Sequence, residues 1–261
     1  MATLSLLTDF GTADYYVAAV KGVILGLAPG STLVDVSHEV PAGDVEAGAW
    51  LLAAASRWYP PGTVHLAVVD PGVGGSRRIL AARARGAFYV APDNGLLTAV
   101  LDADAELRAV DRQDLYLPGP GQTFQGRSRF APVAAYLLRG KRLDELGPAV
   151  TDPIRLAISP PRLDGEPGRA GSMLTGRVVW IDRFGNLVTD LPTEWLGDRP
   201  YRAAVGGHST DRRADHFAAV PPGEAAAIPG SLGTLELAMD GADLSRRWGV
   251  GRGAAVTVRL C

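Results

Sequence analysis

Val68-Val69-Asp70-Pro71-Gly72-Val73-Gly74-Gly75-Ser76-Arg77-Arg78 is the stretch from which the rest of the chain can be read. The residues leading into it, Thr63-Val64-His65-Leu66-Ala67-Val68-Val69, form a β-branched apolar run, the pattern of a buried strand. Asp70 stands where that strand ends. A Pro-Gly turn and a glycine-rich loop follow, which no regular element holds. In an open α/β sheet, ligands bind beyond the carboxyl ends of the strands. A carboxylate at such an exit, with Arg77 seven residues on, can form a charged pair facing a substrate. The same residues also suit a plain turn with solvated arginines, because Asp and Pro are ordinary turn formers. The choice depends on what else reaches the same rim.

Upstream, residues 3–8 read as a first strand ending at Asp9-Phe10-Gly11. Asp14 can cap a helix over 15–27, which Pro29-Gly30 stops. Residues 32–36 suit a second strand and 44–59 a second helix. Downstream, short strands are expected over 79–83 and 87–91, then a helix over 96–101 after Pro92-Asp93-Asn94-Gly95. A strand over 107–110 follows, and a helix over 129–138 after the lead-in Gly121-Gln122-Thr123-Phe124-Gln125-Gly126. Strands alternating with helices predict an α/β N-terminal domain with a mostly parallel sheet over residues 1–158. Residues 159–172 are rich in Pro and Gly and read as a linker. Short alternating runs at 176–181, 187–191, 202–205, 233–238 and 254–260, with no long helix, predict a smaller all-β, barrel-like C-terminal domain over 173–261.

At 261 residues the chain exceeds the usual single-domain size, so two domains, or one with an appendage, are expected, and 47% hydrophobic with 21% charged residues is ordinary for a globular protein with a real core. A formal net charge of -2 offers nothing to attract nucleic acid or an anionic membrane. Cys261 is the only cysteine, so no intrachain disulfide can form, and a reducing compartment fits. No basic segment precedes an apolar stretch at the N-terminus, and runs such as 17–28 are broken by Lys21. These features predict a cytoplasmic protein with no nucleic-acid and no membrane partner.

Asp9, Asp70 and the pair Asp93-Asn94 all fall at predicted strand exits, so sheet geometry can bring them to one rim. Each alone reads first as a turn or capping residue, and it is the three together that bring a shared site level with that reading. Several chemistries drop out. There is no Gly-x-x-x-x-Gly-Lys phosphate loop, and the glycines after Asp70 do not match the dinucleotide fingerprint. His38, His65, His208 and His216 lack zinc-ligand spacing, so no metal is expected. No Gly-x-Ser-x-Gly elbow is present, and a terminal Cys261 makes a poor nucleophile. What remains is displacement by a water or a small anion.

Leu7-Thr8-Asp9-Phe10-Gly11, Asp35-Val36-Ser37-His38-Glu39-Val40-Pro41, Val69-Asp70-Pro71-Gly72-Val73-Gly74, Ala91-Pro92-Asp93-Asn94-Gly95-Leu96-Leu97, Thr123-Phe124 with Gly126-Arg127, and Asp182-Arg183-Phe184-Gly185-Asn186 occur in this order. Together they resemble the S-adenosyl-L-methionine (SAM) hydroxide adenosyltransferases, adenosine-forming hydrolases related to fluorinase and chlorinase. The resemblance covers nearly the whole chain. It implies hydrolysis of SAM to adenosine and methionine by displacement at the ribose C5′, with SAM as substrate and no cofactor. It also implies a homotrimer with each active site between two subunits. By resemblance, Asp9 takes the ribose hydroxyls, and Asp14, Asp182 and Ser231 hold the methionine amine and carboxylate. Phe184 and Asn186 lie on the adenine side, and Asp70 with Arg77 orients the water. Halogenases have no carboxylate at the position of Asp70, where a negative charge would repel a halide.

Three positions leave the pattern. Gln125 stands where the hydrolases carry a histidine and Ser128 where they carry an aspartate; Gly43 replaces an aromatic near the ribose. Glutamine orients a water but cannot take its proton. The resemblance therefore implies a slower hydrolase, with an adenosine- or SAM-binding protein as the alternative and a halogenase as the weaker one.

Overall fold

A computed structural model describes residues 2–119, 121 and 123–261, so Gln122 of the expected helix lead-in lies outside the described residues. The chain divides into two compact units, Met1–Ala157 and Ile158–Cys261.

In the first unit, β1 (Thr3–Thr8), β2 (Thr32–Ser37), β3 (Val64–Val68), β4 (Ile79–Ala84), β5 (Ala87–Pro92) and β6 (Glu106–Ala109) form one sheet in the order β2-β1-β3-β5-β4-β6. β1 runs parallel to β2 and β3, and β3 parallel to β5, while β4 pairs antiparallel with β5 and β6. Helices α1 (Tyr16–Leu27) and α3 (Ala131–Leu138) share a core with Leu4, Leu6, Leu66 and Val68. Alternation along a strand sends Val69 to the opposite face. There it meets Gly48 of α2 (Val45–Ser56), where a Cβ would lie 2.9 Å from the Val69 side chain. The sheet is thus covered on both faces, as the buried, non-alternating β3 run requires. The chain leaves β1 for β2 on one side and returns to β3 on the other, which makes the β1–β3 boundary the topological switch point. Because Thr8 is in register with Val68, Asp9 and Asp70 leave neighbouring strands there.

The second unit contains β7 (Arg162–Asp164), β8 (Met173–Ile181), β9 (Leu187–Pro192), β10 (Tyr201–Val205), β11 (His208–Thr210), β12 (Ala225–Pro229), β13 (Thr234–Met239) and β14 (Ala255–Leu260), with a short helix α4 (Leu244–Trp248). The strand order is β11-β10-β14-β8-β9-β13-β12, antiparallel throughout. Thr210 Oγ1 donates to the Ala225 carbonyl at 2.7 Å and the Ala227 N–H to the Arg212 carbonyl at 2.9 Å. These bonds draw the two end strands together into a nearly closed barrel around Leu174, Val178, Leu187, Leu235, Leu237 and Val256.

Three local expectations are corrected. Asp14 does not cap α1; Tyr15 occupies that position, with no side-chain cap. Residues 96–101 form successive turns instead of a helix. Gly95 sits at φ +98°, and Thr98 turns its hydroxyl back to the Gly95 carbonyl at 2.6 Å while accepting the Leu156 N–H at 2.9 Å. These side-chain bonds compete with helical ones. Finally, the 159–172 stretch read as a linker carries β7, which pairs with β8.

Candidate functional site

The first unit builds its site at the switch point. The Asp9 carboxylate accepts the Gly43 N–H at 2.9 Å, and Gly43, at φ +72°, lies against Pro71 of the β3 exit loop. A side chain at 43 would be strained by that φ, which is one physical reason for glycine there. Thr8, the residue before Asp9, is held by buried His38 through Nδ1 at 2.8 Å, and the Gly11 N–H donates to the His38 carbonyl at 2.7 Å. His38 therefore braces the loop that presents Asp9.

Asp70 and Arg77 form a buried pair, their side chains 4% and 10% exposed. Arg77 Nε donates to both Asp70 oxygens, at 3.1 and 2.9 Å, and Nη2 also donates to Oδ2. Nη2 further donates to Gln125 Oε1 at 2.6 Å, and the guanidinium lies 5.3 Å from the centre of the Phe130 ring. The turned-out arginine allowed by the sequence is thus excluded at position 77. Gln125 is 1% exposed, and a guanidinium only donates, so the amide oxygen must face Arg77. Its Nε2 is left as a buried donor with no hydrogen-bond partner among the described residues.

Gln125 opens a π-helical turn, Gly126–Phe130, that runs into α3. Such turns interrupt the regular backbone and recur at functional sites. A Cβ at Gly126 would lie 3.0 Å from the Phe10 ring, so glycine permits the Asp9-Phe10 loop to close on the Gln125 turn. Asp9, Asp70, Arg77 and Gln125 are therefore tied through Gly43, Pro71, Phe10 and Gly126. The sequence reading missed the aromatic group beside them: Phe124 packs edge-on against Phe10 at 6.0 Å and Tyr16 at 4.9 Å, with Tyr15 64% exposed. Aromatic residues clustered on both sides of the Asp9 and Gln125 motifs were the available signal.

Asp93 and Asn94 take the structural role. Asp93 accepts from Arg78 Nε at 2.7 Å and from the Ile154 N–H at 2.8 Å. Asn94 Nδ2 donates to the Val69 carbonyl at 2.8 Å, which fixes the backbone just before Asp70.

In the second unit, the Asp182 to Asn186 turn joins β8 to β9. Asp182 Oδ1 accepts the N–H groups of Phe184 and Asn186, each at 2.9 Å, and Oδ2 accepts Asn186 Nδ2 at 2.8 Å. Gly185 at φ +85° packs against Asp243, where a Cβ would come within 2.2 Å of a carboxylate oxygen. The turn presents Phe184, 71% exposed, at a cavity of about 570 Å³. Asp182, Asn186, Phe217, Val220, Met239 and Asp240 line it with Phe184. Phe217, Val220, Met239 and Asp240 were not singled out from sequence, since they lie on separate elements. Ser231 is exposed in the β12–β13 hairpin and is not among the cavity residues; Asp14 is also exposed. Among the described residues, no group of three or more His, Cys, Asp or Glu is placed to hold a metal. No helix among them is long and apolar enough to cross a membrane.

Comparison with known proteins bears directly on this arrangement. The family model described as SAM hydroxide adenosyltransferase N-terminal domain matches residues 4–147, and that for the C-terminal domain matches 176–257. A protein from Thermus thermophilus named (R)-S-adenosyl-L-methionine hydrolase is 40% identical, over 98% of this chain and 99% of its own. A protein from an Actinoplanes species named fluorinase is 32% identical over 72% and 71% of the two chains. The crystal structure of an uncharacterized conserved protein from Thermotoga maritima aligns at a TM-score of 0.89 and 32% identity, covering 98% and 99%. By these matches, over both units, the chain belongs to the SAM hydroxide adenosyltransferase family.

Proposed function

We propose that this protein hydrolyses SAM to adenosine and L-methionine. The observation that carries the reading is the buried Asp70–Arg77–Gln125 relay at the switch point of a member of this family. In the reaction, a water lone pair forms the O–C5′ bond as the C5′–S bond breaks. The electron pair goes to sulfur, so the leaving thioether is neutral, and one proton passes to solvent. A sulfonium is already a good leaving group, so the protein's task is to align the water and exclude competing solvent.

The relay divides that task. Asp70 is oriented by Arg77 and keeps lone pairs with which to accept a proton of the water. Gln125 Nε2 supplies a donor to the water oxygen, since its Oε1 is committed to Arg77. A neutral histidine held by Arg77 would accept on one nitrogen and donate from the other, so glutamine reproduces that pattern. The carboxylate of Asp70 disfavours a halide at the same point. Asp9 takes the ribose hydroxyls, Phe184 and Asn186 the adenine side, and Asp14, Asp182 and Ser231 the methionine end. SAM is a substrate and no cofactor takes part.

We further assign a homotrimer in the cytoplasm, with each active site shared between two subunits. Exposed Tyr15 and Trp58 in one unit, and Phe184 and Phe217 in the other, support this, because an intersubunit contact would cover them. Sedimentation at micromolar concentration checks the trimer; a monomer that binds adenosine would overturn it. The activity is tested by incubating the protein with SAM in ¹⁸O-water and separating the products. Adenosine carrying the label at its 5′-hydroxyl is expected. Bound SAM without released adenosine would replace the hydrolase with a binding protein.

A further inference from the structure

Glu236 is a carboxyl that neither the fold nor the reaction described above uses. It is 9% exposed on β13, and among the described residues it has no hydrogen bond or ion pair. Side chains alternate along a strand, so Leu235 and Leu237 fill the barrel while Glu236, Ala238 and Asp240 share the other face. Ala238 and Asp240 line the cavity beside Phe184, and so does Asp182. Glu236 thus stands one step further along the same wall.

Its carboxyl is built in. A Cβ at Gly230 would lie 2.3 Å from Glu236 Oε1 and 2.7 Å from the Thr234 carbonyl, so only glycine leaves room for the carboxyl beside the β12–β13 hairpin. β12 carries no titratable side chain, and β9 carries Asp190, which accepts the Arg177 N–H at 2.7 Å. Among the described residues, the Asp182 carboxylate accepts only from its own turn. Burial, and then the nearby Asp182, push the Glu236 carboxyl above the usual range. Asp182 at the cavity, with Glu236 buried on the strand face behind it and close enough to feel its charge, calls for a ligand that is cationic at one end. The sulfonium of SAM has no N–H to give, whereas its ammonium has three.

We propose that Glu236, with Asp182, binds the ammonium of the substrate's amino-acid end, an assignment that rests on the hydrolase reading. Glu236→Gln keeps the shape and removes the charge. It should weaken L-methionine binding in calorimetry and raise the KM for SAM, each about tenfold, with kcat and adenosine affinity unchanged. Gly230→Ala, which displaces the carboxyl, should produce the same selective loss. Methionine affinity of the parent should fall as the pH is lowered and Glu236 takes up a proton, and this dependence should vanish in Glu236→Gln. Equal methionine affinity in parent and Glu236→Gln, or no methionine binding by the parent, would overturn the assignment. Failure of the parent to release adenosine would instead sink the hydrolase reading, and the methionine titrations still decide Glu236.

Discussion

Replacing Gln125 by histidine should leave turnover within about tenfold of the parent, because Arg77 dictates what any side chain at 125 can do. Arg77 Nη2 donates to Gln125 Oε1 at 2.6 Å in a buried setting. A charge-assisted bond of this kind is worth about 1.5–3 kcal/mol, so a histidine will meet it with its lone-pair nitrogen. The other nitrogen then carries the hydrogen and points a donor where Nε2 of glutamine stood. Protonating that imidazole would put a second cation beside the guanidinium. At about 4 Å and an effective dielectric near 20 the repulsion is about 4 kcal/mol, or roughly three pH units, part of which Asp70 returns. The histidine should therefore stay neutral, and kcat/KM should be flat between about pH 6 and 9 for both proteins. Gln125→Met keeps the bulk but loses both hydrogen bonds; losing a donor worth about 1–3 kcal/mol should slow turnover roughly 5- to 150-fold. Steady-state adenosine release, followed by chromatography across the pH range, measures all three. A gain of about 100-fold or more in Gln125→His, with a new ionisation near 6.5, would refute this reasoning and make proton removal the limiting step.

Three further outcomes follow from the geometry. Asp70→Asn removes the charge from a buried pair and should lower the unfolding free energy by about 1.5–3 kcal/mol, as well as turnover; an unchanged urea midpoint would contradict the pairing. Asp9→Ala should abolish adenosine binding in calorimetry while leaving the thermal transition within a few degrees; parental affinity would reduce Asp9 to a brace for Gly43. His65 is fully buried, its Nδ1 2.6 Å from Ser5 Oγ, and burial depresses its pKa from 6.5 to about 4. The folded protein therefore binds fewer protons than the unfolded chain between those values. The stabilisation is complete above about pH 6.5 and is lost as the pH falls toward 4, by roughly 3 kcal/mol in all. Urea unfolding of the parent and His65→Asn at pH 7.5 and 4.5 tests it, and equal pH dependence in the two would refute the assignment.

The two-part architecture was legible because each part announces itself by local pattern. The apolar run before Asp70 reads as a strand buried on both faces, and the short alternating runs after 173 read as barrel strands. The capping role given to Asp14 failed because any Asp near a helix start suits a cap, and only the backbone path decides whether it reaches. β12 was missed because Ala225-Ala226-Ala227-Ile228-Pro229 has little strand propensity of its own; pairing along β13 makes it a strand.

For the site, the sequence by itself supplied the charged residues at strand exits and, in order, the motifs that carry the family likeness. It could not say which exits meet. The β1–β3 register decided that Asp9 and Asp70 share a rim, while Asp93, one strand over, was spent on Arg78 and Ile154. Nor could it show that Gln125 turns its oxygen to Arg77 and its N–H inward, or that Glu236 shares a strand face with the cavity wall. Strand propensity and turn chemistry act over a few residues and are written along the chain. Convergence of Asp70, Arg77 and Gln125, spread over 48 positions between the last two, depends on packing that only the folded chain creates.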